Sequence, residues 1–309
     1  MSKLSEGLKA FINASHARPN TTPAGKTTLN VYNQIAKQAA ANQVGLPAWL
    51  TATTATTMTL NSPQSLLQLY GLATSPEQSN GKDNKVWAAE LMREVGLKCI
   101  GLNGVPRTIN SLGAFFDGLP ASVQTELKKR QPRRLVPPHL TPESISHTTT
   151  RASGLWDSIY HPFTDKLTKK LAQSHPDLPV FIIESEYGAL FSDPPYLSSS
   201  SSTSDNGSDI GTSTPPNIGR VLMSILAVSV LRAQTGVGPQ VVSHLFGLRK
   251  AFQDGTAAAE PAVEGGEWLA GNEGAMWLLE SVDQVVESMG GSSFAAGYRS
   301  YDEALKAKL

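Results

Sequence analysis

His244 and Arg232 are the residues of this chain whose types and places best suit chemistry on a small acid. His244 stands one turn into a helix that the pattern starts near Gln240. With an ordinary pKa of about 6.5, an imidazole there can give or take a proton at neutral pH. A hydrogen-bonded core histidine has the same spacing, so both readings stand. Arg232 closes the apolar run Val221 to Leu231. A cation there suits the C-terminal end of a helix dipole, and a guanidinium fork can also grip a carboxylate through two parallel hydrogen bonds. Glu184 and Glu186 lie in Ile183-Glu184-Ser185-Glu186-Tyr187-Gly188, ahead of a turn, and Glu186 is a candidate proton relay to His244. Glu280 is the second relay candidate, although most such carboxylates are solvated. The six histidines include no pair at i, i+3 or i, i+4 and no HExxH, so no metal site is expected. Walker loops, dinucleotide fingerprints and Gly-x-Ser-x-Gly elbows are also missing.

The elements that must position these residues read as helices. Apolar residues recur at helical spacing over residues 29–42, 87–102, 122–130, 218–232, 240–251 and 276–289. Residues 154–174 read as a single helix, with Leu155, Ile159, Phe163, Leu167 and Leu171 at a period of four. Val180 to Ile183 has strand character, but four residues do not make a sheet, and hairpin signals are scarce. The class is all-α.

Two stretches repeat in the same order. Ser62-Pro63-Gln64-Ser65-Leu66-Leu67-Gln68-Leu69-Tyr70-Gly71-Leu72 matches residues 238–248, with Pro63 on Pro239, an offset of 176 (239 − 63). Val86-Trp87-Ala88-Ala89-Glu90 matches Met276-Trp277-Leu278-Leu279-Glu280, with Trp87 on Trp277, an offset of 190 (277 − 87). The change of offset falls in the Gly- and Ala-rich residues 254–266. An apolar helix precedes each Pro-Gln, at residues 51–60 and 221–231. Two ordered matches argue for duplication, with two helical units related by a pseudo-twofold axis. The units divide the chain at residues 1–145 and 146–309.

Composition narrows the partners. The chain of 309 residues carries 26 basic and 26 acidic side chains, so it lacks the basic excess that grips nucleic acid or an anionic membrane. The apolar run of residues 221–231 is too short to cross a bilayer. The single cysteine, Cys99, rules out a CxxC pair and a cysteine-rich zinc site, and its apolar helix implies a core thiol. Residues 198–216, SSSSSTSDNGSDIGTSTPP, read as a disordered surface insertion. The final Ala307-Lys308-Leu309 is similar to the small-basic-leucine tripeptide that a peroxisomal import receptor reads, so the expected place is the peroxisomal matrix.

The repeat unit resembles the carboxymuconolactone decarboxylase and AhpD-like family. Gly104-Val105-Pro106-Arg107-Thr108-Ile109-Asn110-Ser111-Leu112 is similar to the family's Gly-Pro…Asn-Ala-Leu helix, and residues 231–248 to its core helix pair. A tandem pair with a peroxisomal address resembles a set of fungal peroxisomal proteins with this domain. The resemblance implies an AhpD-like helical fold with two tandem repeats. It also implies a pocket facing His244 and no cofactor. In that alignment the redox cysteines fall at Val237 and Gln240, and at Asn61 and Gln64 in the first copy, where Gln68 replaces the histidine. Gln240 can therefore bind a polar group but cannot be a nucleophile. Thiol peroxidase chemistry needs an attacking and a resolving thiol, and this chain lacks the pair. What remains is a cofactor-free decarboxylase or lyase on a small carboxylic acid. His244 would be the acid/base, Arg232 the anchor and Gln240 a polar contact. The alternative is a non-catalytic binding or scaffold protein of the same descent. Monomer and homodimer both fit the twofold unit.

Overall fold

The computed structural model describes residues 4–79, 81–134, 140–194, 216–292 and 294. Among them every regular element is helical. The first half holds α1 (Glu6–Ile12), α2 (Thr28–Ala41), α3 (Leu46–Thr59), α4 (Pro63–Ala73), α5 (Pro76–Ser79), α6 (Lys85–Lys98), α7 (Ile100–Asn103), α8 (Val105–Gly118) and α9 (Ala121–Lys128). The second holds α10 (Pro142–Tyr160), α11 (Thr164–Ser174), α12 (Asp177–Val180), the π-helix Phe181–Phe191, α13 (Gly219–Gln234), α14 (Gly238–Gln253), α15 (Gly266–Ala270) and α16 (Asn272–Ser288).

The centre of the molecule is the contact of α3 with α13. Both are buried nearly all round, as the absence of a polar stripe in either sequence requires. Helix α3 reads TATTATTMT and buries six threonines. Four of the hydroxyls turn back on their own helix: Thr53, Thr56, Thr57 and Thr59 donate to the carbonyls of Trp49, Ala52, Thr53 and Ala55 at 2.7–2.8 Å. That satisfies these four donors without water, while the Thr51 and Thr54 hydroxyls are buried without a partner among the described residues. Helix α4 follows α3 through Asn61, and α14 follows α13 through Thr235, both in the left-handed region (φ 55° and 64°). Pro63 and Pro239 then start α4 and α14, where a missing N–H costs nothing. Helix α6 packs on α3, and α16 packs on α13 as well as α3.

Three elements differ from the sequence reading. The single helix expected over residues 154–174 is two, because Pro162 interrupts it: α10 ends at Tyr160 and α11 starts at Thr164. Helix α10 also begins much earlier, at Pro142, where Thr141 and Ser144 form a capping box. Val180 to Ile183 is not a strand. It runs from α12 into the π-helix. The boundary at residues 145/146 falls inside α10, which packs on α14 and the π-helix.

Candidate functional site

Helix α10 packs on both the π-helix and α14, the helix that carries His244. Its crossing of the π-helix is close at Gly188, where a Cβ would lie 3.0 Å from the Ala152 side chain and 3.3 Å from Thr148. Helix α14 approaches α10 at Gly247, where a Cβ would lie 2.9 Å from Ile159. These two glycines draw α10, the π-helix and α14 around one buried cluster.

The cluster is aromatic on one side and cationic on the other. Trp156 and Tyr160 of α10 lie 4.2 Å apart between ring centroids, tilted by 43°, and Tyr187 of the π-helix meets Trp156 edge-on at 4.9 Å. The Tyr160 and Tyr187 hydroxyls are 3.1 Å apart. His244 of α14 is 7% exposed, with its ring 6.3 Å from that of Tyr160. Arg220 of α13 is buried beside them. Its guanidinium donates to Ser158 Oγ at 2.8 Å, to the Ser158 and Gly247 carbonyls at 3.2 and 2.7 Å, and to the Ser224 hydroxyl. All these acceptors are neutral, and no carboxylate lies within ion-pair distance among the described residues.

Electrostatics follow from that burial. Loss of water, then the Arg220 charge, pulls the His244 pKa down to about 4, so the ring is neutral at pH 7. Burial raises both tyrosines. The Nδ1 of His244 and the Nε1 of Trp156 are buried without a hydrogen-bond partner, a cost natural cores rarely accept without a use for the group.

The other sequence candidates lie apart from this cluster. Arg232 is at the surface and grips Asp283 of α16 with two bonds, at 2.8 and 2.5 Å. Gln240 and Glu280 are exposed. Glu186 is half-buried, its pKa raised by burial, with Oε2 unpartnered and pressed on Gly101. The targeting residues Ala307, Lys308 and Leu309, and residues 198–215 of the serine-rich stretch, lie outside the described residues. Cys99 is fully buried, and burial pushes its thiol pKa up.

Sequence reasoning missed an open cleft at the other end of the α10 and π-helix pair. It has a volume of about 760 Å³, within the size range of small-molecule sites (about 300–1,000 Å³). Leu140, Ile145 and Ala189 supply apolar surface, and Arg133, Arg134 and Arg151 supply cations. Arg133 and Arg134 already face Glu94, at 3.1 and 2.6 Å. Among the described residues Arg151 has no such partner: it donates to Thr148 Oγ1 at 3.3 Å, and its Nε is buried without one. Glu184 also lines the cleft and accepts a bond from Thr149 at 2.9 Å. A helix reading that began at Pro142 would have placed Thr148 and Arg151 on this wall.

Comparison of the chain with protein-family models, with curated proteins and with solved structures found no match.

Proposed function

We propose that this chain binds a small carboxylic acid with an apolar body in the cleft between α10 and the π-helix. One observation carries the reading: Arg151, a cation without a carboxylate partner among the described residues, stands in a cleft with apolar walls. A guanidinium accepts a carboxylate through two charge-assisted bonds, and the apolar walls take the rest of the ligand. Its descent, in this reading, is from the carboxymuconolactone decarboxylase and AhpD-like family, as two tandem repeats. The parallel courses of α3–α4–α6 and α13–α14–α16 support that descent, each with a left-handed turn and a proline-initiated second helix. The peroxisomal matrix is the proposed location, on the strength of Ala307-Lys308-Leu309.

A second reading makes the chain a cofactor-free decarboxylase or lyase, and the buried His244 with its unpartnered Nδ1 favours it. Arg220, rather than Arg232, is then the cation beside the imidazole. The test is incubation of the wild type, Arg151→Gln and His244→Ala with a mixed pool of small carboxylic acids, followed by mass spectrometry of retained and consumed compounds. Retention lost in Arg151→Gln, with nothing consumed, supports binding. An acid consumed by the wild type and spared by a folded His244→Ala supports the enzyme. Equal retention by wild type and Arg151→Gln contradicts the cleft.

A further inference from the structure

The cleft that holds Arg151 carries charge of both signs. Of its three arginines, Arg133 and Arg134 meet Glu94, so their charge is answered inside the protein. Two carboxylates also line the cleft, Glu143 and Glu184, and neither forms an ion pair among the described residues. Glu143 is exposed and occupied at the start of α10, where its own amide and the Thr141 hydroxyl hold its carboxyl below the usual range. Glu184 is half-buried, with a bond from the Thr149 hydroxyl at 2.9 Å. The cleft is therefore left with one guanidinium and one carboxylate that no opposite charge meets among the described residues.

These two do not pair with each other, and α10 keeps them apart. Arg151 donates to Thr148 Oγ1, and Glu184 accepts from Thr149. Thr148 and Thr149 are consecutive, so their side chains leave the helix about 100° apart. Glu184 also lies four residues before Gly188, whose Cβ would come within 3.3 Å of Thr148. That close crossing fixes the Glu184 backbone beside the same turn of α10. The cation and the anion thus stand side by side on one wall, beyond ion-pair distance.

The apolar surface lies toward the start of the helix. Ile145 is six residues before Arg151, about 9 Å along the axis, and Leu140 lies ahead of the helix start. Both are exposed large apolar residues. The span suits a short aliphatic chain that ends in a charged head.

A simple monoacid satisfies half of this arrangement. Its carboxylate answers Arg151 but sets a second anion near Glu184, and like charges in one site disfavour each other. An ammonium next to that carboxylate removes the repulsion and gives Glu184 a charge-assisted bond. Charges held side by side match a ligand with both groups on one carbon. Its side chain then runs toward Ile145 and Leu140.

We propose that the ligand of the cleft is an α-amino acid with an apolar side chain, its carboxylate on Arg151 and its ammonium on Glu184. The proposal rests on the carboxylate site at Arg151 and narrows its ligand to a zwitterion.

The test is calorimetric titration of the full chain at neutral pH with hexanoate, norleucine (2-aminohexanoate), 2-hydroxyhexanoate and 6-aminohexanoate, which share one carbon chain. Norleucine binds the wild type about tenfold tighter than hexanoate. The hydroxy acid, which keeps the size and removes the charge, lacks that gain. So does 6-aminohexanoate, which moves the ammonium to the far end. Glu184→Gln keeps an oxygen for Thr149 and brings norleucine down to the affinity of hexanoate. Norleucine no tighter than hexanoate overturns the proposal and leaves the carboxylate site standing. So does a norleucine gain that 2-hydroxyhexanoate shares or that survives in Glu184→Gln. Tighter binding of 6-aminohexanoate than of norleucine overturns the side-by-side placing, and the α-amino acid with it. No binding by any of the four overturns the carboxylate site and the proposal together.

Discussion

His244 shows how position outweighs residue type. An imidazole is the side chain most ready to move a proton at neutral pH, yet burial and Arg220 hold this one neutral down to about pH 4. Its folded pKa lies below the unfolded value of about 6.5. The neutral ring therefore contributes stability that is fully present above that unfolded value and is lost as pH falls through the folded one. We expect acid to destabilise the wild type between about pH 6.5 and pH 4, by on the order of 3 kcal/mol, more than it does His244→Gln. Urea unfolding across that window measures the difference. Cys99 gives a second residue-scale test. Its thiol is fully buried and its pKa is raised, so iodoacetamide should leave the native protein unmodified for hours and label it within minutes in urea. Labelling at equal rates would show the thiol to be accessible.

At the scale of elements, a buried ion network ties the first half to the second. Lys98 at the end of α6 has no exposed surface and faces Asp193, beyond the π-helix, at 2.9 Å. Its ammonium also donates to the Phe191 carbonyl at 2.6 Å, and Asp193 accepts from the Gly219 amide at 2.6 Å. Asp193→Ala leaves that ammonium only Glu94, 3.7 Å away and shared with Arg133 and Arg134, and should cost about 3 kcal/mol. Lys98→Met added to it should recover part of the loss, a non-additivity that a double-mutant cycle reads directly. None of this pairing was legible in the sequence, since Lys98 and Asp193 are far apart in the chain and neither falls in a pattern. The same holds for Arg220: the apolar run that follows it looks like any core helix, and its contact with Ser158 joins residues far apart in the chain. Periodicity did find most helices to within a few residues: α2, α14 and α16 alternate faces at the helical period, and α13 showed as a continuous apolar run. It failed at Pro162, where the apolar period continues in register through a break, and at the π-helix, whose wider turn has no periodic signature. Of the sequence candidates His244 lies in the buried aromatic cluster, and the cleft of Arg151 was not legible, because it forms only where α10 crosses the π-helix. Arg232 looked equally suitable, but its partner Asp283 on α16 claims it.

For the whole molecule, the all-α architecture brings two helical halves together along α3 and α13 and leaves an open cleft beside α10. If the final tripeptide is the address, a fluorescent protein fused to the N-terminus should accumulate in peroxisomes, and removal of Ala307-Lys308-Leu309 should leave it diffuse. The central claim is that the cleft holds a carboxylate on Arg151. Calorimetric titration with hexanoate tests it most directly, with hexanol beside it to remove the charge and keep the chain. The account predicts that hexanoate binds, that hexanol binds at least tenfold more weakly, and that Arg151→Gln loses the difference while unfolding within about 1 kcal/mol of the wild type. Equal binding of hexanoate by the wild type and by a folded Arg151→Gln, or no binding to either, would contradict it.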